Sequence, residues 1–386
     1  MLGLSSRHIK RLVRAWRAEG AAGLRSKRRG RPGNRRCPDT LRKRVLVLAA
    51  DRYAGFGPTL LSEYLAREHA LEVSMETLRQ WLIQAGHRKT RAQRHTIHRA
   101  RSRRPRFGEL IQIDGSPHDW LEGRGPRCSM IVFIDDAMSK VLYARLVPAE
   151  TTQAYFDGVA AHLAQHGRSL TYYSDRHSIF RVNLEATGPA PTQFERAMEA
   201  LDIELICAHS PQAKGRVERV HQTFQDRFTK ALRVAGIRDI DAADALLQPH
   251  LVAHNARFAK PPLDPEDAHR PLTCDASELG RTLSHHHVRV VDKQGTIRFE
   301  RLALHIDPTH RRRTLGKRLT VIQPGDKLEL WHDQKPIPFT TFDIKAWRTQ
   351  VQDRKALDAI LDQRPALPRN DARKPAANHP WRHTPI

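Results

Sequence analysis

The sequence predicts a multidomain chain: an α-helical N-terminal region, an α/β core and a small all-β barrel toward the C-terminus. Three observations carry this reading. Positive charge is concentrated at the N-terminal end: residues 1–106 hold 27 Lys and Arg against 7 Asp and Glu, while the remainder holds 39 against 35. Residues 107–236 alternate between short apolar runs and helix-period stretches, as α/β units do. Residues 284–342 carry brief β-like runs separated by Gly, Pro and Asp turns, the spacing of a small barrel. With 386 residues there is room for several domains.

The N-terminal region is taken as residues 1–36, a partial helix-turn-helix and basic linker, and 37–106, a second helix-turn-helix and linker. In the first, Ile9, Leu12, Val13 and Trp16 fall at helical spacing on one face, with Ser5 or Ser6 available as the cap. Arg7, Lys10, Arg11 and Arg14 occupy the other faces. This is the pattern of a recognition helix that enters a major groove, or of any basic amphipathic helix. A recognition helix needs supporting helices ahead of it and Met1 leaves little room, so either the start is short or this helix packs differently. The run from Arg25 to Arg36 contains Arg28, Arg29 and Arg31 beside Gly and Pro. It is suited to tracking phosphates or lying in a minor groove, or serves as a flexible linker. Three helices are expected at about 39–53, 57–69 and 74–86, the second starting at Pro58. In the third, Leu78, Trp81 and Leu82 point inward. Residues 88–106, with nine Lys or Arg, lead into the next domain. Such a basic block is the footprint of a nucleic-acid partner, because Lys and Arg release counterions from phosphates.

The α/β domain spans 107–236. Glu109–Asp114 and Leu170–Asp175 read as strands, each ending in an aspartate. Met130–Ile134 is continuously apolar, as a strand covered on both faces should be. The turn at Asp135 and Asp136 leads into Val141–Val147, so the first three strands form an antiparallel meander. A helix from Thr151 or Thr152 to about His166 precedes the Asp175 strand, a parallel return. Thr192 and Glu195 form a capping box before the next helix. Ile203–Cys207 is a fifth strand, and a long helix from about Gln212 to Val234 carries a core stripe of Val217, Val220, Phe224 and Phe228. Glu218, His221, Gln222 and Gln225 fall on the adjoining polar face.

Two carboxylates at strand ends and one on a helix crossing that edge suit a pair of Mg²⁺ ions, with Mn²⁺ as a substitute. Such ions want oxygen ligands and keep positions open for phosphate and water. The candidate catalytic and metal-binding residues are therefore Asp114, Asp175 and Glu218. Asp135 and Asp136, at another strand end, are read as caps of the hairpin turn. His118 and His177 lie near the triad as phosphate-orienting or plain surface histidines, and Trp120 as a core residue or a base-stacking one. Lys214 and Arg216 flank Glu218 and are candidate contacts to DNA backbone, or a solvated pair.

Beyond 236, residues 237–283 read as a helical connector, 284–342 as the barrel, and 343–386 as a largely disordered tail. Asp239–His254 is the connector's helix, with a kink expected at Pro249. His310–Arg313, Lys317 and Arg318 are placed in one loop of the barrel. Cys37, Cys128, Cys207 and Cys274 show neither zinc nor redox spacing. No apolar run approaches a membrane span and the start lacks a signal-peptide core, so a cytoplasmic, nucleoid-associated protein is expected.

Three stretches together carry a family resemblance. They are Gln112-Ile113-Asp114-Gly115-Ser116-Pro117-His118, Tyr173-Ser174-Asp175-Arg176-His177-Ser178, and Ser210-Pro211-Gln212-Ala213-Lys214-Gly215-Arg216-Val217-Glu218-Arg219. As a set they resemble the DDE triad of retroviral-integrase-type transposases, and most nearly the ISNCY group of bacterial insertion-sequence transposases. The 42 residues between Asp175 and Glu218 exceed the usual interval, which longer insertion-sequence members tolerate. The resemblance implies an RNase H-like catalytic core, cleavage at transposon ends and strand transfer into target DNA. It also implies a homo-oligomer in the synaptic complex, since two ends are joined in concert. Two other classes stay open: an inactive or truncated relative that only binds DNA, and a metal-dependent nuclease without joining.

Overall fold

The computed structural model describes residues 4–25, 37–88, 102–175, 177–180, 191–207, 215–325 and 327–344. The chain divides into two compact units, residues 1–100 with 226–237, and residues 101–225 with 238–386.

The first unit is helical. Helix α1 (Ser6–Glu19) is capped by Ser5, whose hydroxyl accepts from the His8 amide, and a 3₁₀ turn (Gly20–Leu24) follows. Its apolar stripe is not covered by the described residues: α1 buries no side chain, and Trp16 is 56% exposed. Helices α2 (Asp39–Asp51), α3 (Pro58–His69) and α4 (Met75–Gln84) fall where the periodicity places them. Pro58 occupies the first turn of α3, and Ser74 caps α4 through the Thr77 amide. Tyr53, Phe56, Leu61, Leu65, Leu78 and Leu82 form their common core. Trp81, expected inward, is only half-buried at its margin. The end of helix α7 (Gly215–Val234) belongs to this unit from Asp226 onward. There Arg227 pairs with Glu63, Arg233 donates to the Ala54 carbonyl, and Val234 joins the apolar core.

The second unit opens with a five-stranded sheet of order β3-β2-β1-β4-β5. Its strands are β1 (Leu110–His118), β2 (Cys128–Asp135), β3 (Val141–Val147), β4 (Thr171–Ser174) and β5 (Glu204–Cys207). The first three pair antiparallel, and β4 and β5 are added in parallel. Helix α5 (Thr152–His166) precedes β4, α6 (Gln193–Ala200) precedes β5, and α7 follows it. This is the order expected of an RNase H-like core. Every residue of β2 is buried, as its unbroken apolar run requires. The capping box of Thr192 and Glu195 is formed.

One boundary differs from expectation. Strand β1 does not stop at Asp114 but runs on to His118, paired with β2 over that whole length. Its pairing with β4, by contrast, ends at Gln112. The polar residues after Asp114 therefore form strand with a partner on one side only.

Helix α8 (Ile240–Phe258) lies along β3, the sheet's edge. The Asn255 amide exchanges two hydrogen bonds with the Val141 backbone, and Asp244 accepts from the Leu146 amide at 2.9 Å. These contacts satisfy edge groups that would otherwise invite another strand.

After α9 (Ala276–Thr282), strands occur where the β-like runs were read, but they form two sheets and not a closed barrel. One has the order β11-β10-β9-β6 and the other β12-β8-β7. Their members are β6 (His286–Val290), β7 (Thr296–Phe299), β8 (Leu302–Ile306), β9 (Arg318–Ile322), β10 (Glu329–His332), β11 (Lys335–Pro336) and β12 (Phe339–Asp343). Among the described residues no ladder joins the two sheets; apolar side chains from both, including Phe299, Leu304, Leu319 and Leu330, share one core. The basic residues expected in a loop at His310–Arg313 instead lie on a short helix, α10 (Pro308–Thr314), capped by Asp307. Pro308 is pre-set for a helix's first turn.

Candidate active site on the α7 face of the sheet

Side chains alternate across a strand, so buried neighbours identify each face. Ile111 and Ile113 of β1 and Tyr172 of β4 enter the main core with α5 and α6. Leu110 of β1 and Tyr173 of β4 pack together on the opposite face, beside Ile206 of β5. Gln112 and Asp114 follow Leu110 on that second face, and Asp175 follows Tyr173. Gln112 is directly across from Tyr173, so Asp114 and Asp175 each lie two residues past the last paired position, on neighbouring parallel strands. Adjacent strands run roughly 5 Å apart. The two aspartates thus share one face at the end of the β1–β4 pairing.

Helix α7 lies on this same face. The Val217 amide donates to Gln112 Oε1 at 3.3 Å, His221 Nε2 lies 3.5 Å from Asp114 Oδ2, and Gln225 Nε2 donates to Ser116 Oγ at 3.1 Å. Contacts every fourth helix residue match every second strand residue because the rises agree. Eight helical residues and four strand residues each advance about 12–13 Å. Helix and strand therefore run alongside in the same direction. Glu218 follows Val217 and is one turn before His221, so it lies on the side of the helix that meets Asp114. It is exposed, on the helix's first turn.

A buried polar node seats the helix. Gln112 is fully buried and donates to Asp136 Oδ1 at 2.7 Å while accepting from Val217. Asp136, also fully buried, accepts from the Arg104 amide and from Arg216 Nη1 at 2.5 Å. Arg216, read from the sequence as a contact to DNA backbone, is thus turned inward onto Asp136, with 13% of its side chain exposed. A buried carboxylate needs such a partner. Asp135 caps the hairpin as expected, accepting from the Met138 and Gly108 amides. Burial pushes its carboxyl up to about 6, against those hydrogen bonds.

Asp114 is mostly buried, with 17% of its side chain exposed. His221 is buried behind it; at 3.5 Å the pair touches but makes no hydrogen bond. Asp175 Oδ1 accepts from the His177 amide at 3.0 Å, which holds the turn after β4. Among the described residues no three acidic, histidine or cysteine side chains are disposed to hold a metal ion together. The donor chemistry nonetheless suits a hard cation: carboxylate oxygens on two neighbouring strands and an exposed one beside them.

Of the other candidates, Trp120 is fully buried and donates to the Ser116 carbonyl, so it is a core residue and not a stacking surface. His118 packs its ring edge-on against Trp120. Arg7, Lys10, Arg11 and Arg14 are exposed on α1. Arg28, Arg29, Arg31 and Lys214 lie outside the described residues. Local pattern assigns no role to Gln112 or Glu150. Gln112 had one available signal, a polar side chain inside an otherwise apolar strand, which when buried must be hydrogen-bonded.

Comparison with known proteins places this arrangement in a class. Residues 8–82 match a homeodomain-like domain. A Sinorhizobium fredii (strain NBRC 101917 / NGR234) protein, "Putative transposase y4bF", is 40% identical over 379 residues, 95% of this chain and 83% of its own length. The transposase for insertion sequence IS1202 of Streptococcus pneumoniae is 29% identical, over 99% of this chain and 88% of its own. The chain belongs to the transposases. The cryo-EM structure of a simian T-cell lymphotropic virus intasome with PP2A regulatory subunit B56 gamma overlaps 77% of this chain and 98% of that one. Its identity is 14% and its TM-score 0.34. The HTLV-2 integrase catalytic core domain with magnesium (trimeric form) overlaps 36% of this chain and 82% of that one, at 15% identity and a TM-score of 0.29. Overlaps that loose establish nothing about mechanism. No described helix is long and apolar enough to cross a membrane.

Proposed function

We propose that the chain cuts DNA at insertion-sequence ends and joins those ends to target DNA, with Asp114, Asp175 and Glu218 as the catalytic carboxylates. The observation that carries this is the shared face: two aspartates where the β1–β4 pairing ends, and α7 seated over them with Glu218 on its first turn. The three carboxylates would hold two divalent cations, Mg²⁺ or Mn²⁺, which supply an activated water or 3′ hydroxyl and stabilise the leaving oxygen. The chain's own residues contribute placement. Gln112, Asp136 and Arg216 seat α7, and the bulk of His221 backs Asp114. Glu218, exposed, is the carboxylate that entering DNA meets first. The exposed Arg7, Lys10, Arg11 and Arg14 of α1 face phosphates; Arg28, Arg29, Arg31 and Lys214 are proposed for the same role from sequence alone. At least two copies act together, since two ends are joined in concert.

The test uses labelled DNA carrying the element's ends, with Mg²⁺. Wild type is expected to nick and join; Asp114→Asn, Asp175→Asn and Glu218→Gln are expected to bind the ends and do neither. Cutting without joining by wild type would make it a nuclease. Binding without cutting by wild type would make it a DNA-binding relative. Full activity in all three variants would remove these residues from the chemistry.

A further inference from the structure

Behind Asp114, on the opposite face of the sheet, sits a fourth carboxylate with no assigned role. Gly115 follows Asp114 and shares its face with Ile111 and Ile113, the face covered by α5. A Cβ at Gly115 would fall on the carboxyl carbon and both oxygens of Glu150. The Glu150 carboxylate therefore lies flat against the β1 main chain, one residue past Asp114, in the space a side chain would fill. It is held there from two sides. Ser129 of β2 donates to Glu150 Oε1 at 2.9 Å, and the Tyr155 hydroxyl donates to Oε2 at 3.1 Å.

Tyr155 is linked to the second aspartate through Phe180 and His177. Its ring, fully buried in the first turns of α5, packs edge-on against Phe180 at 4.9 Å between centroids. Phe180 is tied to Asp175 through His177: the His177 amide donates to Asp175, and the Phe180 amide donates to the His177 carbonyl. Burial raises the Tyr155 hydroxyl well above its ordinary range, and the charges of Glu150, Asp114 and Asp175 each add to the effect. The hydroxyl stays the donor to Glu150.

We propose that Glu150 and Tyr155 are positioning residues that set the spacing of Asp114 and Asp175 from behind the sheet, so that the pair can hold a divalent cation. Glu150 braces β1 just after Asp114. Tyr155 braces the turn after Asp175 and ties that brace to Glu150. The negative charge of Glu150 also favours a cation on the far side of a single backbone layer. A purely structural role is the competing account: a carboxylate ahead of a helix N-terminus, satisfied by Ser and Tyr, stabilises the fold and nothing else. That role would show in melting temperature and would leave cation affinity alone.

The inference rests on the proposed catalytic reading, and the experiment separates the two. The probe is Mn²⁺, titrated calorimetrically into the full chain in the absence of DNA, with thermal melting and end-DNA binding measured alongside. Glu150→Gln keeps the shape and removes the charge. Tyr155→Phe removes one hydroxyl and leaves the ring on Phe180. Each is expected to weaken Mn²⁺ about tenfold or more, the usual cost of losing a group that orients a metal ligand, with end binding unchanged. The double variant is expected to be no worse than the weaker single, because the two act as one brace. Wild-type Mn²⁺ affinity in both variants, with affinity lost in Asp114→Asn, would overturn the positioning role and leave the catalytic reading standing. Wild-type affinity in Asp114→Asn would instead overturn the catalytic reading beneath it. If Glu150→Gln fails to fold, Tyr155→Phe decides alone.

Discussion

His162 is a buried residue whose neighbours dictate its charge. It is 1% exposed, bonded to Ser169 Oγ at 2.8 Å, and its ring packs near those of His166 and His269. Burial, and then the charges of those two histidines, lower it from 6.5 to about 3. The folded form therefore binds fewer protons than the unfolded form between those values. Stability from this group is complete above about pH 6.5 and drains away as pH falls toward 3, at up to about 1.4 kcal/mol per pH unit. Urea melts from pH 7.5 down to 5 should show that slope, and His162→Gln should flatten it. An unchanged slope in the variant would assign the acid sensitivity elsewhere.

At the scale of elements, the seat of α7 on β1 decides whether the site exists. The start of the helix is held by a buried node: Gln112 between Asp136 and the Val217 amide, with Arg216 closing on Asp136. Removing one partner of a buried ion pair leaves a charge without its counterpart. Arg216→Ala is expected to cost about 3 kcal/mol in denaturant melts and to lower cleavage, since Glu218 is carried two residues on. Arg216→Ala with wild-type stability would show that the pair does not secure the helix.

For the whole molecule, the division of charge is the governing feature. Nearly all the net charge of +24 lies before residue 107, while the acidic site is built from residues far along the chain. On the proposed reading, binding and chemistry fall to different stretches. Changing Arg7, Lys10, Arg11 and Arg14 together to Ala should weaken end binding at every sequence tested. The slope of log affinity against log salt should fall by about 0.9 for each phosphate that is no longer neutralised. A slope equal to wild type would mean that α1 does not touch the backbone.

Elements and candidates followed from local pattern. Period-2 and period-3.6 runs place the helices and most strands, Ser5 and Thr192 announce helix starts, and the two strand ends and the helix, together with the family resemblance, pick out Asp114, Asp175 and Glu218 as candidates. These are short-range matters of backbone hydrogen bonding and of which face is apolar, so the chain states them residue by residue. The extension of β1 to His118 is different, because polar residues accept strand geometry only when a long partner such as β2 is beside them. So are the two open sheets in place of a barrel, since closure depends on which edges meet. Arg216 turned inward because a buried Asp136, 80 positions away, has to be neutralised. Glu150 took its place because Gly115 leaves a gap that only the folded sheet presents to it. A side chain's partner across space is set by packing and desolvation, and those costs come into being only when the sheet and its helices have closed on one another.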